Sequence, residues 1–143
     1  MAAGGDPVEL GRRLIEEVWA RSDRDAAAEI VAPGVVVHHS RAVAPGPNGQ
    51  AAVGDYFRAG FPEARWAVED AFGGGDRAAV RWRMEGRHEQ RFEGVPATNR
   101  EAELSGILIV RVEAGAIAEI WHAEDMLGLL DRIGAKPEVT VEG

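Results

Sequence analysis

The sequence predicts an α+β fold in which a cone-shaped, curved antiparallel sheet wraps around helices, and three observations carry that expectation. Apart from one short strand, helical patterns fill the chain up to Phe61, whereas apolar and polar residues alternate from Trp66 to Asp125. Such segregation of helices beside strands is what α+β layers require. Turns rich in glycine or ending on it, Gly73-Gly74-Gly75-Asp76 and Glu113-Ala114-Gly115, separate the alternating runs as in hairpins. A long sheet curling round one long helix makes a cone, and its mouth is a natural pocket for a small molecule.

Taken in order, Asp6-Pro7 opens the first helix, with aspartate as cap and proline at the first helical position. Val8, Leu14, Ile15, Val18 and Trp19 follow on one face. Ser22-Asp23 breaks that helix and caps a second over 25–31, which Pro33-Gly34 stops. Val35-Val36-Val37-His38-His39 is β-branched and reads as a strand that delivers two adjacent histidines, only one of which can face inward. The loop 42–50, with two prolines and two glycines, is a candidate entrance. In the third helix, over 50–61, Val53, Tyr56, Phe57 and Phe61 share a face, and Pro62 closes it. A long hairpin follows, with Trp66, Val68 and Phe72 on one arm and Val80, Trp82, Met84 and His88 on the other. A second loop spans 90–100, a strand 101–112, and a last strand 116–125 runs into the helical pattern MLGLLDRIG. The pocket is expected to be lined in part by Val18, Trp19, Tyr56, Phe57, Trp66 and Trp82.

Composition narrows the function classes. A chain of 143 residues suits one domain spanning 1–143, with its core at about 7–134 and a flexible tail at 135–143. A net charge of −8 with no basic cluster speaks against a nucleic-acid partner. The absence of cysteine removes disulfides and thiolate metal sites. Three of the four histidines lack i, i+4 spacing to another ligand, so no metal is expected. The glycine tract lacks the lysine and helix of a phosphate loop. MAAGGDPVEL has neither a basic start nor an apolar block, and no apolar run approaches the ~20 residues of a membrane span, so a cytoplasmic location without membrane partners is expected.

Chemistry concentrates at Trp121-His122-Ala123-Glu124-Asp125, three ionisable groups at a strand-to-helix junction. Strict alternation places Asp125 with Ile117, Glu119 and Trp121, and His122 with Ile120 and Glu124; one bulge would exchange the faces beyond it. Asp125 also precedes a helix, where it suits an N-cap.

FEGVPATNR, a strand closing on arginine, and AGAIAEIWHAEDMLGLLDRIG resemble the SnoaL-like polyketide cyclase family of the nuclear-transport-factor-2-like superfamily. The strand ending His38-His39, Phe61-Pro62-Glu63 before a strand and Gly86-Arg87-His88 before a loop extend the likeness over 10–134. The resemblance implies a homodimer or homotetramer built through the outer sheet face. It also implies cofactor-free acid/base chemistry, an intramolecular aldol-type ring closure or related isomerisation of a hydrophobic, polyketide-like ester. Its general acid/base aspartate matches Asp125, and it tilts the choice between the paired histidines to His38 as the group that polarises a substrate carbonyl. A carboxyl group in an apolar cavity is harder to ionise and can exchange protons near neutral pH. His39, Tyr56, Phe57, Trp66, Trp82, His88, Arg111, Trp121 and His122 are the expected substrate-binding residues. Two departures stand out: Asn99 replaces a glycine, and Ile109 and Arg111 stand where the cyclases carry polar groups including a histidine. Two other functions compete. One is an epoxide hydrolase of the same superfamily, with Asp125, Arg111 and Asp70 activating water. The other is a non-catalytic domain for hydrophobic-ligand binding or dimerisation, which has no need of a buried, unpaired carboxyl group.

Overall fold

The structure, a computed structural model, describes residues 5–135. The tail expected at 135–143 therefore lies, except for Ala135, outside the described residues. Asp6 caps α1 (Pro7–Arg13), its Oδ1 accepting the Val8 N–H at 3.1 Å, as the sequence indicates. The helix runs without interruption into a π-helical stretch, Leu14–Trp19, whose apolar residues Leu14, Ile15, Val18 and Trp19 are all buried. Asp23 caps α2 (Arg24–Ile30) through the Ala26 N–H at 2.9 Å. Then come β1 (Val31–His38), α3 (Gly46–Gly60), β2 (Arg65–Gly74), β3 (Arg77–Arg87), β4 (Glu101–Glu113), β5 (Ala116–Glu124) and α4 (Met126–Arg132). No helix among the described residues is long and apolar enough to cross a membrane.

The five strands form one sheet in the order β1-β5-β4-β3-β2. From β2 to β5 the pairing is antiparallel, as expected for successive hairpins. β1 corrects the all-antiparallel expectation: it lies parallel to β5, with Val36 opposite Glu119 and His38 opposite Trp121. The chain between them is long enough for the crossover that parallel strands need. Pro33-Gly34, expected to end the second helix, instead lies inside β1, where the register slips between Val31 and Val36. An edge strand tolerates a residue without an N–H at such a bulge.

One face of the sheet is packed against the helices. Ala78, Val80, Trp82 and Met84 of β3 and Leu104, Leu108 and Val110 of β4 meet Leu10, Leu14, Val18, Trp19, Phe57 and Phe61 there. The alternation is strict along β3 and β4. β5 breaks it. Arg111 faces Glu119 and Val112 faces Ile117, so Ala118 is an extra residue. Beyond that bulge Ile120, His122 and Glu124 pair with Val110, Leu108 and Gly106 on the inner face, while Trp121 and Ala123 pair with the exposed Ile109 and Ile107.

Where α3 crosses the π-helical stretch the backbones touch: a Cβ added at Gly54 would collide with the Trp19 carbonyl oxygen. Gly54→Ala is expected to cost about 1–3 kcal/mol through overpacking. Gly74→Ala, where an added Cβ meets nothing within 4 Å, is expected to stay within about 0.5 kcal/mol of the parent. Urea denaturation of both variants checks this; equal stabilities would contradict so close a helix contact.

Candidate active site

β1 ends at His38, and the next residue turns its side chain into the cone. His39 Nε2 lies 2.8 Å from Glu124 Oε1, and the two side chains are only 3% and 4% exposed. The Arg41 backbone N–H donates to His39 Nδ1 at 3.0 Å. Because Nδ1 accepts, the ring proton sits on Nε2 and is donated to the carboxylate. The Arg41 guanidinium reaches the same oxygen at 3.3 Å while lying 4.0 Å above the Tyr56 ring.

Around this pair the contacts are continuous. His122 meets His39 edge-on at 4.8 Å and stacks on Trp19 at 5.4 Å. Trp19 packs against Trp82 at 5.2 Å and donates its indole N–H to Gln50 Oε1 at 3.2 Å. Five of these side chains carry a buried polar atom with no partner: Glu124 Oε2, His122 Nε2, Tyr56 Oη, Trp82 Nε1 and Gln50 Nε2. Buried polar groups are nearly always paired, so a run of unpaired ones on touching side chains marks a place for a polar ligand. Of these five, Tyr56 borders a cavity of about 100 Å³ that is lined also by His39, Arg41, Val43, Ala52 and Val53. A larger groove of about 600 Å³ lies along Glu69, Arg81, Arg83, Ser105 and Asp125 and also reaches Trp82 and Glu124. Its Arg83 side chain is exposed and pairs with Glu69 at 3.0 Å, whereas the Glu124 side chain is 4% exposed and turned towards His39. Among the described residues no three histidines or carboxylates gather as metal ligands.

Two groups of the inner cluster are electrostatically shifted. Burial pushes the Glu124 carboxyl up, but the His39 hydrogen bond and the Arg41 charge outweigh it and hold the group below the usual carboxylate range. Burial, then the nearness of His39, bring His122 down to about 4, against the opposing pull of Glu124.

Several expected site residues lie elsewhere. His38 is on the outer face, 48% exposed, hydrogen-bonded to Glu119 at 2.7 Å and stacked on Trp121 at 5.2 Å. Trp121 lies outside as well, beneath the Arg77 guanidinium. Arg111 is bound on that face to Glu119 and Glu113. The bulge at Ala118 accounts for Trp121, since it assigns the odd positions of β5 beyond it to the outer face; His38 pairs with Trp121 there, and Arg111 is outside by the regular alternation of β4. Asp125 is exposed and caps α4, accepting the Gly128 N–H at 2.9 Å; it does not meet His38 in one pocket. His88 is fully buried but clamps the 90–100 loop, its Nδ1 taking the Thr98 N–H at 3.2 Å, and burial lowers its pKa. Trp66 packs near the sheet edge under the Arg58 guanidinium, away from the cavity. The epoxide-hydrolase set does not converge. Arg111 is opposite Arg77 and Asp70 opposite Arg81, four residues apart on β3, or roughly 13 Å at ~3.3 Å per residue.

His39, Tyr56, Trp82 and His122 are brought together as expected, with Phe57 as buried wall. Glu124, Arg41 and Gln50 are additions. The sequence held one signal for Glu124, its i, i+2 spacing from His122, which keeps the two on one face of any strand.

A model of the SnoaL-like polyketide cyclases matches residues 9–133. The chain belongs to the SnoaL-like polyketide cyclase family. Solved structures agree. A candidate SnoaL-like polyketide cyclase from Jannaschia sp. CCS1 is 27% identical, with TM-score 0.76 over 92% of this chain and 93% of that one. IdmH, a candidate polyketide cyclase from Streptomyces antibioticus, is 29% identical, with TM-score 0.76 over 90% and 99%. AclR, a candidate hydroxylase from Streptomyces galilaeus, is 23% identical and shares the fold, with TM-score 0.75 over 94% and 87%. A search of curated proteins finds no match.

The environment of His122 in this SnoaL-like fold has a consequence for stability. Its value of about 4 lies below the ordinary 6.5, so between those pH values the unfolded chain binds a proton that the folded chain refuses. Stability from this residue is therefore fully present above pH 6.5 and falls as pH drops towards 4, by about 3 kcal/mol at most. Urea midpoints measured across that window are expected to show the loss in the parent and a smaller one in His122→Phe; identical pH profiles would contradict it.

Proposed function

We propose that this protein is a cofactor-independent cyclase whose general acid/base is Glu124, with His39 holding it in place, acting on a hydrophobic, polyketide-like ester. The observation that carries this reading is the asymmetry of the Glu124 carboxylate. Oε1 is anchored by His39 and Arg41, whereas Oε2 is buried and free. A carboxylate held at one oxygen and bare at the other, inside an apolar wall, is poised for proton transfer.

In the proposed cycle Glu124 Oε2 removes a proton from the carbon beside a carbonyl. The C–H electron pair passes into the enolate, and its oxygen takes hydrogen bonds from the unpartnered Tyr56 hydroxyl and Trp82 indole N–H. The enolate carbon attacks a second carbonyl of the same substrate, closing the ring. The resulting alkoxide recovers the proton from Glu124. The cycle is redox-neutral and regenerates the carboxylate.

Two substitutions separate this reading from one centred on Asp125. Glu124→Gln keeps size and polarity but cannot exchange protons, so turnover of an aromatic polyketide methyl ester is expected to fall by roughly 10²-fold or more. Asp125→Asn, which preserves an N-cap, is expected to retain turnover, and Asp125→Ala to lose about 1 kcal/mol of stability. Full activity in folded Glu124→Gln would end the assignment.

We also propose that the outer sheet face joins two copies of the chain. Val36, Phe72, Ile107 and Ile109 are exposed there, a concentration of apolar side chains that a monomer seldom leaves in water. Sedimentation at micromolar concentration is expected to give a dimer, and Ile109→Glu to shift it towards monomer; a monomeric parent would contradict this.

A further inference from the structure

Arg41 has more donors than the structure uses. It sits in the irregular segment between β1 and α3, and its guanidinium spends one hydrogen bond on Glu124 at 3.3 Å, longer than the 2.8 Å bond that His39 makes to the same oxygen. The guanidinium lies over the Tyr56 ring on the cavity wall, and the side chain is 35% exposed. Among the described residues it is the only guanidinium on that cavity's wall, and the neighbouring loop residues Ala42, Val43 and Ala44 carry no charge.

At about 100 Å³ the cavity is smaller than the roughly 300–1,000 Å³ of ordinary ligand pockets. Admitting a substrate requires something on its wall to move, and Arg41 is the longest side chain there. When Arg41 leaves Glu124, the shorter His39 bond still holds the carboxylate. A planar guanidinium freed in this way matches two oxygens that share one negative charge.

We propose that Arg41 is the substrate-recognition residue: it swings from Glu124 to a planar, singly charged oxygen pair on the incoming molecule, a carboxylate or a 1,3-dicarbonyl enolate. The inference rests on the reading of Glu124 as the acid/base and adds the class of substrate that the site admits. It also couples binding to chemistry. Arg41 helps to hold the Glu124 carboxyl low, so its departure makes the base stronger once the substrate has entered.

Calorimetry with three small probes tests this: salicylate, neutral methyl salicylate and 2-acetylcyclohexane-1,3-dione, an enolate without a carboxylate. The parent is expected to bind at least one of the two anions tenfold or more tighter than the ester, and the tighter anion identifies the source of the charge. Arg41→Gln is expected to lose the preference, Arg41→Lys to keep part of it because charge remains without the fork, and Glu124→Gln to keep it because a competing carboxylate is gone. No preference in the parent, or an undiminished one in Arg41→Gln, would overturn the proposal. The two readings fail separately. Anion preference alongside an active Glu124→Gln variant removes only the acid/base assignment, whereas no preference alongside an inactive one removes only the role of Arg41.

Discussion

A single extra residue in β5, Ala118, determines which side chains of the last strand enter the cone. Side chains alternate along a strand, so one bulged residue exchanges the two faces for everything after it. Here that exchange turns His122 and Glu124 inward and leaves Glu119, Trp121 and Asp125 outside. The parallel docking of β1 against β5 depends on the same register. It places His38 opposite Trp121 on the outer face and carries His39 to Glu124 within. Two adjacent histidines thus end on opposite sides of one sheet, each bound to a different glutamate.

Holding a carboxylate in that interior is unfavourable unless hydrogen bonds and charge offset its lost hydration. His39 supplies the bond and Arg41 the charge, and the Arg41 backbone N–H fixes the tautomer that makes the His39 bond. The wall is set by close helix packing. The π-helical stretch ends on Trp19, the glycine at position 54 lets α3 approach it, and the Arg58 guanidinium donates to the Trp19 carbonyl at 2.6 Å. Trp19 is thereby held where it stacks on His122 and meets Gln50. π-Helical turns recur at functional sites, and this one orients a ring of the inner cluster.

Much of this fold was legible from local chemistry. Asp6 and Asp23 cap helices because a short oxygen-bearing side chain is followed by helix-forming residues, and Asn99 stands at φ 58, a left-handed backbone that asparagine tolerates. The glycine-rich hairpin tip was readable for the same reason. What failed was non-local. Nothing at Ala118 announces a bulge, since alanine fits a regular strand as readily, so the parity of Glu124 and Asp125 could not be told from alternation. Pro33-Gly34 looked like a helix stop because the sequence does not reveal that β1 lies at a sheet edge. Alternation did not separate His38 from His39 and the family resemblance tilted the choice to His38, which the partner strand reverses. Arg41 in its loop had no periodicity to give it away.

The inward turn of His39 towards Glu124, with His38 outside, is the claim on which the site stands. Nitrogen-15 NMR of the histidine rings tests it most directly at neutral pH. The structure predicts one fixed tautomer for His39, protonated at Nε2 and bare at Nδ1, with a ring proton that exchanges slowly because the side chain is buried; His38 is predicted to exchange fast. A fast-exchanging or tautomer-averaged His39, or a His38 protected in its place, would contradict the account.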